Sequence, residues 1–131
     1  MVRKVAVIVL YDKDKRILLQ HRDEGIYNLP GYWSTFGGEI EEGENPEEAV
    51  KREIVEELNY HLKNPRLVIE QEFEDEYYSG TKFVFVEEYR QGEKLILHEG
   101  QEMRWVSFDE AMKLKLIPHD MEIIEKIKKI I

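Results

Sequence analysis

The stretch that most constrains this chain is residues 38–60, GEIEEGENPEEAVKREIVEELNY. Asn45-Pro46-Glu47-Glu48 carries the marks of a helix start: Asn45 as N-cap, Pro46 at the first helical position, and Glu48 closing a capping box. The spacing predicts a helix over 46–58, ended by Asn59, a residue that tolerates the left-handed conformation. Val50, Ile54 and Leu58 recur every fourth residue and form one apolar stripe. Ala49, Glu53, Glu56 and Glu57 share the adjacent face, because residues three and four apart are neighbours on a helix.

That acidic face works against the helix that carries it. Glu56 and Glu57 fall in the last turn, where the helix dipole is negative, and Glu53 is within reach of both. Each such placement costs about a few tenths of a kcal/mol. Clustered carboxylates are what a hard divalent cation needs, since magnesium takes oxygen ligands and completes its shell with water and substrate phosphate. A solvated acidic face is the plain alternative. The dipole argument and the flanking glycines favour the metal site.

Composition narrows the partners. The 131 residues suit a single domain, 1–131, large enough to bury a core. No segment approaches the length of a membrane span; the six apolar residues from Val5 to Leu10 are too few for a signal-peptide core and read as a strand. Absence of cysteine removes disulfides and thiolate metal sites, and a cytoplasmic location is the default expectation. Of the net charge of −9, nine Glu against Lys51 and Arg52 place −7 within residues 38–60. Such a surface repels nucleic-acid backbones and admits an anionic small molecule only with cations between them. The expected partner is therefore an anionic small molecule, with no nucleic acid and no membrane.

Residues 4–10 read as a buried strand, 11–15 as a polar turn and 16–21 as the returning strand. An irregular aromatic loop over 23–33 leads to a Gly37-Gly38 turn that allows close backbone approach. Beyond the acidic helix, two strands over 66–77 and 82–89 are joined by a hairpin at Ser79-Gly80-Thr81, followed by a short strand at 103–106. A short helix over 108–114 and a last helix over 118–131, with Ile123, Ile124, Ile127, Ile130 and Ile131 as its buried stripe, complete an α+β domain.

Residues 38–60 resemble the signature of the Nudix family: Gly, five residues, Glu, seven residues, then Arg-Glu-aliphatic-X-Glu-Glu-X-Gly-aliphatic. Gly38, Glu44 and Arg52-Glu53-Ile54-Val55-Glu56-Glu57-Leu58 fill it, while Asn59 stands for the second glycine and Tyr60 for the last aliphatic residue. Asparagine is the next choice for positive φ, and Tyr60 can pack as an apolar body. The resemblance implies a Nudix fold, a mixed β-sheet sandwiched between α-helices. It also implies a small MutT-like hydrolase, a monomer or homodimer dependent on Mg2+ (Mn2+ as a substitute), that takes a small-molecule nucleotide and cleaves the diphosphate linkage of a nucleoside triphosphate or related nucleotide by water attack on phosphorus.

Residue by residue, the resemblance gives Glu53, Glu56 and Glu57 to the metal, with the backbone carbonyl of Gly37. It gives Arg52 the orientation of the glutamates and Glu44 the bracing of the loop. His98-Glu99-Gly100-Gln101 is similar to the MutT-type loop that supplies one more glutamate, so Glu99 is favoured over Glu102 as metal ligand or general base, with Glu56 and Glu57 competing as base. Arg22 either contacts substrate phosphate or is a surface arginine. Asp120, two places after Pro118, either accepts from purine N–H groups or caps the last helix. Aromatic residues between Tyr27 and Phe36 either stack a base or fill the core. Phe36 stands where the family often has proline, which puts the pocket floor in question. The competing functions are hydrolysis of ADP-ribose, a nucleotide sugar or a dinucleoside polyphosphate, a nucleotide-binding module without catalysis, and a purely structural partner domain.

Overall fold

The computed structural model describes residues 2–23, 30–74, 76, 78–98 and 100–131. In chain order they form β1 (Val2–Tyr11), β2 (Ile17–His21), β3 (Trp33–Ser34), β4 (Phe36–Glu39), α1 (Pro46–Leu58), β5 (Arg66–Glu74), β6 (Ser79–Glu88), β7 (Glu102–Val106), α2 (Phe108–Ala111) and α3 (Pro118–Lys128).

Strand β1 is the axis of a mixed sheet. It runs parallel to β6 from Val2↔Ser79 to Tyr11↔Glu88, and antiparallel to β4 with Val7 opposite Gly37 and Ala6 opposite Gly38. It meets β2 at Tyr11↔Ile17; β2 in turn carries β3 and β7, and β5 lies antiparallel on the far side of β6. The unbroken apolar run of β1 follows from burial on both faces. Ala6, Ile8 and Leu10 pack with Val50, Ile54 and Leu58 of α1, whereas Val7 and Val9 pack with Ile123, Ile124 and Ile127 of α3. Fully burying one such aliphatic side chain is worth about 1.5–3 kcal/mol, so alternation along one strand ties both helices to it. The sheet lies between helices.

Helix α1 is as the sequence indicates. Asn45 Oδ1 accepts from the Glu48 N–H at 2.8 Å, Glu48 Oε1 accepts from the Asn45 N–H at 2.9 Å, and Asn59 ends the helix at φ 54°. Tyr60 is fully buried in the α1-side core. Several other boundaries differ. Gly37 and Gly38 are not a turn but the middle of β4, held there by β1. Ser79-Gly80-Thr81 is not a hairpin loop; β1 reaches back to Val2 and draws these residues into β6. Strand β3 has two residues, too few to show a period, and lies at the end of the segment expected to be irregular. The short helix stops at Ala111 and the last at Lys128, so Ile130 falls beyond the helix and is exposed rather than part of the buried stripe. Among the described residues, no helix is long and apolar enough to cross a membrane.

Candidate active site

Burying the Val50-Ile54-Leu58 stripe turns Glu53 and Glu57 towards β4. Glu57 is only 7% exposed, and its Oε2 accepts from the Gly37 N–H at 3.3 Å. The Glu53 carboxylate lies against Gly38, so close that a Cβ there would stand 2.5 Å from it. Gly37 is required for a different reason: its φ is +148°, and a Cβ would fall 2.1 Å from the Ala6 carbonyl oxygen. Glu56 points outwards, its side chain 58% exposed.

Arg52 gathers these groups. Its Nε and Nη2 donate to the two oxygens of Glu44 at 2.7 and 3.0 Å, its Nη1 donates to Glu53 at 3.0 Å and Glu56 at 3.3 Å, and Nη2 also reaches the Glu39 carbonyl at 3.1 Å. The hydrogen bond to Glu44 raises the Arg52 pKa, partial burial opposes it, and Glu53 adds to the rise. Reciprocally, Arg52 and the Glu41 N–H hold Glu44 below the usual carboxylate range. Glu44 thus braces the loop before α1. The donor set is entirely oxygen and suits a hard divalent cation. Glu53, Glu56 and Glu57 are the side chains that could hold one, and the bare Cα of Gly38 gives Glu53 the space to do so. Among the described residues, no three acidic or histidine side chains already converge on a point, since Arg52 and the Gly37 N–H engage these glutamates.

On the other side of the Gly37-Gly38 strand lies a pocket of about 140 Å³. Arg22, Ser34, Phe73, Tyr78, Lys82 and Asp120 are among its lining residues. Arg22 is therefore not a surface arginine: burial lowers its pKa, while the charges of Asp120 and Glu57 work the other way. Asp120 does not cap α3 either, since the N-cap position is Ile117, which makes no side-chain cap. Its Oδ1 accepts from Lys82 Nζ at 2.7 Å, and its Oδ2 accepts from the Thr35 N–H at 3.1 Å. Burial pushes the Asp120 carboxyl up, but the charge and hydrogen bond of Lys82, aided by His119 and Thr35, bring it below its ordinary value. Lys82 also meets His119 Nδ1 at 2.8 Å.

Sequence reasoning missed Lys82, Thr35 and Ser34. Lys82 did leave a signal, a lone cation at the head of the apolar run Phe83-Val84-Phe85-Val86. The aromatic residues of 27–36 divide differently from expectation. Trp33 stacks on His21 at 4.6 Å with the Arg104 guanidinium 4.9 Å from its ring, and Phe36 belongs to the α1-side core. The pocket takes its rings from Phe73 and Tyr78 instead. Tyr27 and Glu99 lie outside the described residues. The neighbours of Glu99 are anchored, His98 donating its N–H to the Glu57 carbonyl at 3.0 Å and Gln101 Nε2 donating to the Arg22 carbonyl at 2.7 Å. Glu102 pairs with Arg104 at 2.8 Å, both side chains about half exposed.

Residues 1–127 match the family model of the NUDIX domain. This chain belongs to the Nudix family. A curated relative, the NAD-capped RNA hydrolase NudC of Photorhabdus laumondii, is 33% identical over 127 residues, which cover 92% of this chain and 44% of that protein. The chain thus spans less than half the length of the curated relatives it matches. Among solved structures, the MutT protein of Methanosarcina mazei superposes with a TM-score of 0.86 at 21% identity, covering 98% of this chain and 94% of that one. The NUDIX domain of Shewanella oneidensis NrtR, complexed with ADP ribose, gives 0.82 at 16% identity and covers 98% and 88%. Such likenesses show the fold, and the sheet between helices described above is the Nudix fold. Within it, the Nudix residues Glu44, Glu53 and Glu56 gather on Arg52, Gly38 lies against Glu53, and Glu57 is held by the Gly37 N–H. The departures at Asn59 and Tyr60 leave α1 intact.

Proposed function

We propose that this Nudix domain is a magnesium-dependent hydrolase, with manganese as a substitute, that cleaves the diphosphate linkage of a nucleoside triphosphate or related small nucleotide by attack of water on phosphorus. The observation that carries this reading is the juxtaposition across the Gly37-Gly38 strand. An all-oxygen carboxylate cluster lies on one side, and a pocket with a cationic and aromatic lining lies on the other. Glu53, Glu56 and Glu57, with the Gly37 carbonyl, are the groups to hold the cation, and Glu99 is the further candidate as ligand or general base. When bound, the cation supplies charge neutralisation on the phosphate oxygens, which carboxylates cannot provide themselves.

The chain's own residues do the rest. Arg52 keeps Glu53 and Glu56 in position and holds the loop through Glu44. Arg22 at the pocket wall attracts the phosphate chain, and its partial desolvation strengthens that attraction. Glu57, anchored by the Gly37 N–H, competes with Glu56 and Glu99 to take the proton from the attacking water. A second reading, hydrolysis of an ADP-ribose-type or NAD-type dinucleotide, draws support from the 33% identity to the NAD-capped RNA hydrolase.

The test is release of phosphate or pyrophosphate from a panel of nucleoside triphosphates, NAD, ADP-ribose, nucleotide sugars and dinucleoside polyphosphates, with and without magnesium. Turnover of one class that needs magnesium and is lost in Glu57→Gln is expected. Turnover that survives Glu57→Gln would place the metal elsewhere. Binding of a nucleotide without any turnover would make this a binding module.

A further inference from the structure

Asp120 stands where the Nudix resemblance puts a reader of purine N–H groups, yet its carboxylate is already engaged. Lys82 holds one oxygen, the Thr35 N–H holds the other, and the side chain is 1% exposed. A ligand edge made of N–H donors finds no open acceptor there. Lys82 is in the opposite position. Its ammonium has three donors and no acceptor, of which Asp120 and His119 take two, and the side chain keeps 7% exposure on the pocket. Ser34 lines the same pocket with a buried hydroxyl that has no hydrogen-bond partner among the described residues. An unpartnered buried polar atom marks a place where a ligand atom or ordered water belongs.

The walls suit a ring. Phe73 and His119 pack at 4.8 Å between centroids, and Tyr78, Val5 and Val7 extend the apolar lining. A volume of about 140 Å³ is on the scale that accepts one six-membered ring.

Resting on the nucleotide-hydrolase reading, we propose that Lys82, with the Ser34 hydroxyl on the same pocket, determines specificity by admitting a base that turns a carbonyl oxygen to the pocket floor. A base that turns an amino group there sets N–H donors against an ammonium and leaves both unpaired. Uracil and hypoxanthine carry a carbonyl at the ring position where cytosine and adenine carry an amino group. Asp120 acts as a positioning residue that fixes the Lys82 ammonium in place.

The experiment compares UMP with CMP and IMP with AMP, pairs in which a carbonyl and the adjacent ring N–H are exchanged for an amino group and a bare ring nitrogen. Binding is read by calorimetry without added metal, and kcat/KM is read for the corresponding triphosphates with magnesium. The wild type is expected to bind the carbonyl member of each pair about tenfold or more tightly, the scale of one hydrogen bond to a charged donor. The ratio should fall towards one in Lys82→Met with Asp120→Asn, which removes both charges so that neither is buried alone. Ser34→Ala should lower the ratio by a smaller factor. Equal binding, preference for the amino member, or a ratio unmoved in both variants overturns the assignment, as does failure of every monophosphate to bind. If the binding ratio holds while no triphosphate is hydrolysed, the hydrolase reading fails and this one stands.

Discussion

Two charge clusters meet at the Gly37-Gly38 strand, and they are built on opposite plans. Around Arg52, four partly or largely exposed carboxylates, those of Glu41, Glu44, Glu53 and Glu56, share one guanidinium, leaving an excess of negative charge at the surface. Lys82 and Asp120 form a buried pair with one ammonium donor left towards the pocket. Ion pairs in the first setting are screened and individually weak; in the second, each partner depends on the other, because a lone buried charge is costly. The difference separates roles. An exposed excess of carboxylate can be recruited by a cation, whereas a buried pair fixes the geometry of the donor it leaves over.

The most direct way to break the comparison is to remove one cation from each cluster. Lys82→Met leaves Asp120 buried and uncompensated, and urea unfolding should show a loss of about 3–5 kcal/mol. Arg52→Met should cost about 1 kcal/mol or less. Adding Asp120→Asn to Lys82→Met should recover most of the loss. Equal losses in the two single variants would erase the distinction.

Activity should divide the other way. Glu57→Gln is expected to lower magnesium-dependent kcat about a hundredfold or more, the scale of losing an electrostatic group at a reacting phosphate. Its melting temperature should stay near that of the wild type. The more exposed Glu56→Gln should have the smaller effect. A Glu56→Gln loss larger than that of Glu57→Gln would reverse the ranking that burial suggests.

The two clusters were also unequally legible. Everything around Arg52 lies within residues 38–60, so helical spacing and cap residues alone place Glu53, Glu56 and Glu57 together and end the helix at Asn59. Lys82 and Asp120 are 38 residues apart, on β6 and α3, and only the sheet topology brings them together. The same limit explains Gly37 and Gly38. Two glycines signal a turn locally, but the pairing with Val7 and Ala6 of β1 makes them a strand. Long-range pairing decided what local propensity could not.

The two glycines sharpen the comparison further, because only one of them borders the cluster through a side chain. Gly37→Ala meets backbone and needs a positive φ, so a loss of about 1–3 kcal/mol is expected from strain alone. Gly38→Ala meets the Glu53 carboxylate, which can swing away. Its stability should change little while the magnesium concentration needed for half-maximal activity rises. A Gly38→Ala protein with unaltered magnesium response would remove Glu53 from the cation's ligands.

Acid unfolding tests the buried pair. The folded-state pKa of Asp120 lies below its unfolded value, so its stabilisation is present above the ordinary Asp range near about pH 3.9 and is lost as pH falls through the lower folded value. The wild type should lose stability over this acid window more steeply than Lys82→Met with Asp120→Asn. Parallel acid profiles would mean that the pair contributes nothing there.

The smallest effect concerns the end of α1, where this chain departs from the Nudix pattern. Asn59 adopts φ 54° and ψ 37°, a conformation that glycine enters freely and asparagine enters with little cost. Asn59→Ala should therefore cost about 1 kcal/mol, and Asn59→Gly should fall within about 0.5 kcal/mol of wild type, since the gain in φ freedom is offset by chain entropy. The position matters beyond stability. The carbonyls of Glu57 and Leu58, just before the turn, accept from the N–H groups of His98 and Ile96 at 3.0 Å each. A frayed helix end would loosen that segment together with Glu57. Asn59→Ala should thus raise amide exchange at His98 and Ile96 and leave the Lys82–Asp120 pocket unchanged, so that its keto-over-amino binding ratio stays at the wild-type value. If that ratio moves as well, the two clusters are coupled through the strand between them rather than independent.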